Sequence, residues 1–115
     1  MGYPKRGQIW RVNFDPTVGG EIKKTRPAVI ISNDHNNQYA LTVTVLPVSD
    51  CGKEIFPFEV GLPRSIQGLT KDSKIKCQQV RTIDKSRLIQ YLGDVPESVL
   101  LEIEKALKIH LKIDD

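Results

Sequence analysis

The side chains best suited to chemistry lie in one polar loop and just after a later apolar run. Glu21 and Arg26 belong to the stretch from Gly19 to Asp34, GGEIKKTRPAVIISND, and Ser49 follows the second run. A guanidinium stabilises the negative oxygens of a phosphate under attack, while carboxylates and hydroxyls accept or donate protons. These three residue types suit phosphoryl transfer, but spacing alone makes them only candidates.

The sequence lacks the usual motifs for nucleotide cofactors and catalytic metals. It contains no GxxxxGK[ST] or GxGxxG loop, no HExxH and no clustered carboxylates. His35 and His110 have no ligand-like neighbours at metal spacing and lie near no nucleophile elbow, so we interpret both as incidental. No cofactor is expected. If the basic loop cuts a nucleic acid without a metal, RNA is the fitting substrate, because its 2′-OH is a nucleophile beside the scissile phosphate.

Charge is distributed unevenly along the chain. The net charge is +3, but residues 1–30 hold six basic and two acidic residues, so this third carries +4 and the remainder sums to −1. An anionic partner would therefore dock on the first third. A charged loop is more often plain solvated surface, so charge alone does not establish nucleic-acid binding.

Apolar patterning predicts the strands that must position these residues. The unbroken run from Pro27 to Ile31 is typical of a strand buried on both faces, and it begins directly after Arg26. Gln8 to Phe14 alternates as a half-buried strand does, with Trp10 on the apolar face. Trp10 is therefore interpreted as a core or subunit-interface anchor rather than a base-stacking platform.

Further elements follow in order. Asn33 to Asn37 is predicted to be a turn, and Leu41 to Val48 a strand ended by Pro47, after which Ser49 either caps a turn or binds a phosphate oxygen. The remaining segments are an edge strand at Phe56 to Val60, a polar loop at Arg64 to Asp72, a strand at Lys74 to Ile83 with a bulge at Gln78-Gln79, a turn at 84–87, and a last strand at Leu88 to Leu92.

A single helix should close the chain. It is predicted to start at a capping box formed by Asp94 and Glu97 and to run to about Lys112, with an apolar stripe at Val99, Leu100, Ile103, Leu107 and Leu111. Several short strands and one helix predict an α+β, mainly β fold, a small barrel or curled sheet, in one domain spanning 1–115. Ile109 and Ile113 lie off the stripe, which indicates either a dimer surface or a wider buried face.

Cysteine usage and hydropathy indicate the compartment. Cys51 and Cys77 form no CxxC motif and are predicted to be two buried thiols without a disulfide. No apolar segment resembles a signal peptide or a membrane span, so a cytoplasmic protein without membrane contact is expected.

Three blocks together resemble a known family. They are RGQIWRVNFDPTVGGEIKKTRPAVIISND, VLPVS and KCQQVRTIDKSRL, which occur in order over nearly the whole chain. They closely resemble the MazF/PemK family of toxin endoribonucleases, also called mRNA interferases. The resemblance implies an SH3-like small β-barrel with a C-terminal α-helix, a homodimer, and metal-independent, sequence-specific cleavage of single-stranded RNA.

The resemblance also implies roles for individual residues. Arg26 corresponds to the catalytic arginine, Ser49 to a position where many members carry Thr, and Glu21 to the acidic residue of the GxE loop. The expected RNA contacts are Lys23, Lys24, Thr25, Asn33 and Gln79, and no metal ligands are expected. An acidic, partly disordered antitoxin segment is the expected protein partner.

Competing interpretations of these residues and of the chain remain open. Arg26 pairing with Glu21 would merely pin the loop, Ser49 would cap a turn, and Gln79 would be a ladder residue at a bulge. At the level of the whole chain, the alternatives are a non-catalytic barrel toxin of the topoisomerase-poison type and a nucleic-acid or protein-binding module of the same fold. Both would bind a partner without turning over RNA.

Overall fold

A computed structural model describes residues 2–52, 54–66 and 69–114. Within these residues the helices and strands follow in the order β1 (Gln8–Asn13), β2 (Thr25–Ile30), α1 (Asp34–Tyr39), β3 (Thr42–Asp50), β4 (Glu59–Leu62), β5 (Ser73–Lys76), β6 (Arg81–Asp84), β7 (Leu88–Asp94) and α2 (Glu97–Leu111). Short 3₁₀ turns at Cys77–Gln79 and Lys85–Arg87 separate the last three strands. This confirms the predicted α+β, mainly β class with a C-terminal helix.

All strand pairs are antiparallel and form one strongly curled sheet. The order is β4-β5-β3-β2-β1-β7, and β6 pairs with the first half of β3 while β5 pairs with its second half. The strands at the two ends, β4 and β7, do not pair with each other within the described residues. The architecture is therefore barrel-like, but the sheet is open.

Two apolar clusters lie on opposite faces of this sheet. The first contains Ile9, Val29 and Leu46 and is covered by Val99, Ile103 and Ala106 of α2. The second is formed by Val12, Phe14, Ala28, Ile30, Val43, Val45 and Ile83. Successive β2 residues point alternately into the two clusters, so the prediction of a strand buried on both faces is confirmed. The strand that carries Arg26 is consequently fixed from both sides.

The strand β1 is buried more completely than its alternation predicts. Ile9 points away from Val12 and Phe14 yet is fully buried, because it enters the first cluster. Trp10 is half-buried against the second cluster and meets Tyr91 edge to face at 6.1 Å. This packing agrees with the interpretation of Trp10 as a core or interface anchor.

Several predicted boundaries are wrong. Asn33 caps the short helix α1 by accepting a hydrogen bond from the backbone N–H of Asn36 (2.8 Å), so the predicted turn is a helix. Pro47 does not end β3, because it lies opposite Ala28 as a buried strand residue. Leu41 lies outside this strand and is exposed. The edge strand β4 begins at Glu59, so only the end of the predicted segment 56–60 is extended.

The segment predicted as one long strand at Lys74 to Ile83 is interrupted more severely than by a bulge. A full 3₁₀ turn, Cys77–Gln79, separates β5 from β6 and sends the two strands to different parts of β3. The turn directs the neighbouring amides of Gln78 and Gln79 to different partners.

The helix α2 also departs from its prediction. Its N-cap is Pro96, which makes no side-chain capping bond, while Asp94 accepts a hydrogen bond from the Tyr91 hydroxyl (2.8 Å). The predicted capping box is therefore wrong. Leu111 is 52% exposed, so the buried stripe ends before the last turn of the helix. Ile109 and Ile113 are exposed, as expected for surplus apolar surface.

The cysteines differ in burial. Both thiols are free, and Cys77 is buried while Cys51 is only half-buried, so the prediction of two buried thiols holds for Cys77 alone. Burial, assisted by the nearby charge of Glu59, raises the pKa of Cys77 to about 12. This thiol is therefore protonated and unreactive at neutral pH. No helix in the described part of the chain is long and apolar enough to cross a membrane.

Candidate functional site

A cleft of about 270 Å³ opens where β1, β2 and β3 lie side by side. The register places Val12 opposite Arg26 and Arg11 opposite Pro27, while the far end of β3 brings Ser49 to the same opening. The lining residues are Arg11, Lys24, Thr25, Arg26, Pro27, Val48, Ser49, Asp50, Leu69, Thr70, Lys71 and Ser73. Two of the three predicted catalytic residues, Arg26 and Ser49, thus share one cleft.

Arg26 is half-buried, and most donors of its guanidinium have no partner among the described residues. Its Nε donates to the backbone carbonyl of Lys23 (2.9 Å), which orients the planar group. The predicted alternative, an ion pair with Glu21, is wrong in this structure: no salt bridge to Arg26 occurs within the described residues. The terminal nitrogens are therefore available to bind an anion in the fork geometry of arginine.

Ser49 lies within β3, opposite Lys74, and not in a turn. The interpretation of Ser49 as a turn cap is therefore wrong. Its hydroxyl makes only a long contact to the carbonyl of Asp50 (3.4 Å), which is a weak hydrogen bond. The strand fixes the backbone of Ser49 while the hydroxyl remains able to rotate toward a ligand.

The charges around the cleft favour an anion. Four cationic residues line it, namely Arg11, Lys24, Arg26 and Lys71, against the single carboxylate of Asp50. Asp50 pairs with Lys71 at 3.0 Å, and both side chains are well exposed. A ligand with negatively charged oxygens would find three cations that no carboxylate of the described residues neutralises.

Sequence reasoning missed Arg11, Lys71 and Asp50 as lining residues. In the sequence, Arg11 is only one of the basic residues of the first third of the chain. Its position beside the cleft, opposite Pro27, depends on the pairing of β1 with β2. Lys71 lies in a polar loop without any motif, so no local signal marks it. Lys24 has a left-handed backbone (φ 71°), which is unusual for a residue with a side chain and fixes the direction in which the loop enters β2.

Glu21 does not line the Arg26 cleft. It lies at a second cavity of about 220 Å³, together with Phe14, Ile22, Pro47, Gln78, Gln79, Val80 and Arg81. Its Oε1 accepts a hydrogen bond from the backbone N–H of Val18 (2.6 Å), so the carboxylate closes a turn within its own loop. The structure therefore separates Glu21 from the other two predicted catalytic residues.

The remaining predicted RNA contacts occupy different places. Lys24 and Thr25 line the cleft, whereas Lys23 is exposed on the loop and offers its carbonyl to Arg26. Gln79 lies at the second cavity with Glu21. Asn33 lies beyond the other end of β2 and lines neither cavity, since its side chain caps α1. Gln79 is in the 3₁₀ turn, so its interpretation as a ladder residue is wrong.

Near the cleft, a second set of charged residues is fully compensated. Glu59 and Lys74 form a buried ion pair (3.1 Å), and Gln78 donates to the other Glu59 oxygen (2.6 Å). Burial raises the pKa of Glu59, but hydrogen bonds from Gln78 and the Phe56 backbone, together with Lys74, lower it more, so its net pKa lies below the usual value. This network is structural.

The described residues contain no group of three or more His, Cys, Asp or Glu side chains arranged to hold a metal ion. His35 packs against Tyr39 (4.9 Å between ring centroids), and His110 against Phe58 (6.0 Å). These packing contacts agree with the interpretation of both histidines as incidental.

Comparisons with known proteins identify the family. A family model described as PemK-like, MazF-like toxin of type II toxin-antitoxin system matches residues 5–111. The chain is 38% identical over 114 residues to Endoribonuclease MazF9 of Mycobacterium tuberculosis (strain ATCC 25618 / H37Rv), covering 95% of this chain and 97% of that protein.

Two solved structures agree with this result. The crystal structure of MazF (Form-I) from Deinococcus radiodurans superposes with a TM-score of 0.86 at 28% identity, covering 98% of this chain and all of that one (100%). The MazE-MazF (Form-II) structure from the same organism gives 0.79 at 28% identity, covering 99% and 100%. The fold, the cleft and these similarities lead to one conclusion: this chain belongs to the PemK-like, MazF-like family of toxins of type II toxin-antitoxin systems.

Proposed function

We propose that this chain is a cytoplasmic toxin endoribonuclease that cuts single-stranded RNA at specific short sequences without a metal. The observation that carries the proposal is the cleft that combines Arg26, an available Ser49 hydroxyl and two further cations that form no ion pair with a described residue. Family membership and the similarity to a protein named an endoribonuclease support it independently. A lining with four cations and one carboxylate favours phosphates over divalent metal ions.

The reaction uses the nucleophile that RNA itself supplies. The 2′-oxygen attacks the adjacent phosphorus, its proton passes to a base, and the bond from phosphorus to the 5′-oxygen breaks as that oxygen gains a proton. The products are a 2′,3′-cyclic phosphate, or the 3′-phosphate formed when water opens it, and a 5′-hydroxyl. Arg26 stabilises the charge on the phosphorane oxygens, and Ser49 donates a hydrogen bond to the same group.

Glu21 would act as the base or proton shuttle from a different position. Its carboxylate is turned toward Val18 in this structure, so it must rotate away from that backbone amide to approach the scissile phosphate. Glu21 lies four residues before Thr25, where β2 begins, so a rotation of its side chain would be a local change. Glu21 could act in proton transfer or could only position the loop, and Glu21→Gln distinguishes these two roles. A lower rate at unchanged RNA affinity supports proton transfer, and a change of affinity alone supports loop positioning.

RNA binding would extend beyond the reacting group. Lys24 and Thr25 in the cleft and Lys23 beside it would hold phosphates, and such contacts supply most of the affinity without reading sequence. Asn33, at the N-cap of α1, and Gln79, at the second cavity, stay predicted RNA contacts outside the cleft. The protein partners proposed are a second copy of the chain and an acidic antitoxin segment that competes with RNA for the cleft. The MazE-MazF structure supports the second partner.

One experiment tests the function directly. The protein is incubated with a single-stranded RNA library in excess EDTA, and the ends of the products are sequenced and chemically identified. We expect cleavage at a short recurring sequence, 5′-hydroxyl ends, and no cutting where the 2′-OH of the scissile nucleotide is replaced by hydrogen. RNA binding should largely survive that replacement. Inhibition by EDTA or 5′-phosphate ends would overturn the mechanism, and binding without any cleavage would favour a non-catalytic barrel module.

A further inference from the structure

The loop that carries Glu21 is held by a side chain more than fifty residues away. The Gln79 Oε1 accepts a hydrogen bond from the backbone N–H of Ile22 (2.9 Å), and its Nε2 donates to the carbonyl of Gly20 (3.1 Å). These two backbone groups lie immediately before and after Glu21. We propose that Gln79 is a positioning residue that acts on catalysis by fixing the backbone on both sides of Glu21, an inference that rests on the proposed function.

The geometry imitates strand pairing. In a parallel sheet, each residue of one strand binds the carbonyl before and the N–H after its partner residue. The Gln79 amide offers the same adjacent donor and acceptor, and it binds Gly20 and Ile22 in that pattern. Among the described residues, no strand pairs with the loop at residues 20–22. One side chain therefore supplies the hydrogen bonds that a neighbouring strand would otherwise provide.

The other bonds of this loop segment do not replace that anchor. The bonds between Val18 and Glu21, from the Glu21 N–H to the Val18 carbonyl (3.2 Å) and from the Val18 N–H to the Glu21 carboxylate (2.6 Å), are local. They close a turn, but they do not connect it to the sheet. Ile22 packs on the second apolar cluster, and Gln79 adds the directional contact beside it. Together they determine where the Glu21 backbone lies.

The 3₁₀ turn between β5 and β6 explains why Gln79 reaches the loop. Gln78 points to Glu59, with its Nε2 2.6 Å from the carboxylate, while the next residue reaches Gly20 and Ile22. In a continuous strand, these two neighbours would sit on opposite faces of the sheet but lie in its hydrogen-bonding ladder. The 3₁₀ turn takes the Gln79 backbone out of strand pairing, and the side-chain amide of Gln79 points toward the loop.

This role differs from the predicted contact between Gln79 and RNA. Both ends of the amide are already bonded to the protein, so Gln79 is built to hold the loop rather than to read a base. Removing it should lower kcat by misplacing Glu21, and it should leave RNA affinity nearly unchanged, because the cations of the Arg26 cleft remain. The cleaved sequence should stay the same.

The test compares Gln79→Ala with Gln79→Glu and with the charge-matched control Gln38→Glu, at an exposed position of α1. Backbone amide exchange at Ile22, measured by NMR without RNA, should rise about two- to tenfold in Gln79→Ala. It should rise less in Gln79→Glu, which keeps an acceptor but cannot donate to Gly20, and not at all in the control. The spectra also show that each variant is folded.

Kinetics complete the test. We expect kcat to fall about ten- to a hundredfold in Gln79→Ala, with RNA affinity changed less than about threefold. In a Glu21→Gln background the same replacement should change kcat by less than about twofold, because the residue acts through Glu21. Unchanged Ile22 exchange, or an altered cleavage sequence, would overturn the proposal. Failure of the wild type to cleave RNA would instead overturn the proposed function and leave the exchange result standing.

Discussion

Two charged regions border β5 and the end of β3, and they treat their charges in opposite ways. In the buried network, Glu59 has a hydrogen bond or ion pair from each of Lys74, Gln78 and the Phe56 backbone. In the cleft, Arg26 has a single hydrogen bond to a backbone carbonyl, and no carboxylate neutralises it within the described residues. A buried charge must be compensated for the protein to fold, whereas an uncompensated cationic cleft is kept for an external anion.

This comparison also separates stability from activity. Removing a compensated partner should damage folding and leave the cleft chemistry intact in the folded fraction. Removing an uncompensated cation should damage activity and leave the free energy of unfolding nearly unchanged.

Arg26→Ala should give the largest effect. Losing the guanidinium removes a stabilising charge at the phosphorane and should lower kcat/KM about a hundred- to a thousandfold, or ~3–4 kcal/mol, by analogy with an oxyanion-hole donor. Single-turnover cleavage of a defined RNA measures it. Arg64→Ala, which removes an exposed positive charge outside the cleft, is the control. A fully active Arg26→Ala protein would show that the uncompensated cations of the cleft do not serve activity, contrary to the comparison above.

Lys74→Met should give the next largest effect, and this effect is on the stability of the fold rather than on activity. It leaves the buried Glu59 carboxylate without its ion pair, which should lower the free energy of unfolding by about 3 kcal/mol, the low end for a broken buried pair, because two hydrogen bonds remain. Urea unfolding measures this. Lys76 lies two residues along β5 and pairs with no carboxylate in the part of the chain that the structure describes, so Lys76→Met should change the free energy of unfolding by less than about 0.5 kcal/mol.

The pH dependence of unfolding sharpens this prediction. Because the folded pKa of Glu59 is lowered, its contribution is fully present above the ordinary glutamate pKa, about 4.3, and is lost as pH falls through the lower folded pKa. The difference between wild type and Lys74→Met should therefore shrink as pH falls through that range. A difference that stays constant from neutral pH downward would show that the carboxylate is not the cause.

Ser49→Ala should have a smaller effect than Arg26→Ala. A neutral hydroxyl contributes a weaker hydrogen bond than a guanidinium, so the rate should fall about two- to tenfold. Ser49→Thr keeps the hydroxyl and adds a methyl that restricts its rotation, and it should retain the rate. If the alanine and threonine variants were equally slow, packing rather than the hydroxyl would explain the loss.

Asp50→Asn should have the smallest effect and the opposite sign. It frees Lys71 from an exposed ion pair, which is worth little to stability, and adds an uncompensated cation to the cleft. RNA should bind about one and a half to five times more tightly at low salt, and the gain should vanish as salt screens the charges. Filter binding across a salt series measures it. Weaker binding would mean that Asp50 orients Lys71 for RNA.

The sequence by itself determined the elements whose signals are local. An unbroken β-branched run specified the buried strand β2, and helical periodicity specified α2, because each pattern reflects burial of neighbouring side chains. The block TRP marked Arg26 at the start of that strand. Several short strands and one helix predicted the α+β class. The errors were also local in origin: Asn33 signalled a turn, yet its capping bond permits a short helix.

Only the tertiary structure decided which polar residues share a site. Arg26 and Ser49 line the same cleft because β2 pairs with β3, and Arg11 joins them because β1 pairs with β2. Glu21 is near Arg26 in sequence but faces another cavity, since Gln79 holds its loop from fifty-eight positions away. Strand register and long-range hydrogen bonds depend on the whole packed sheet, so no window of the sequence contains them.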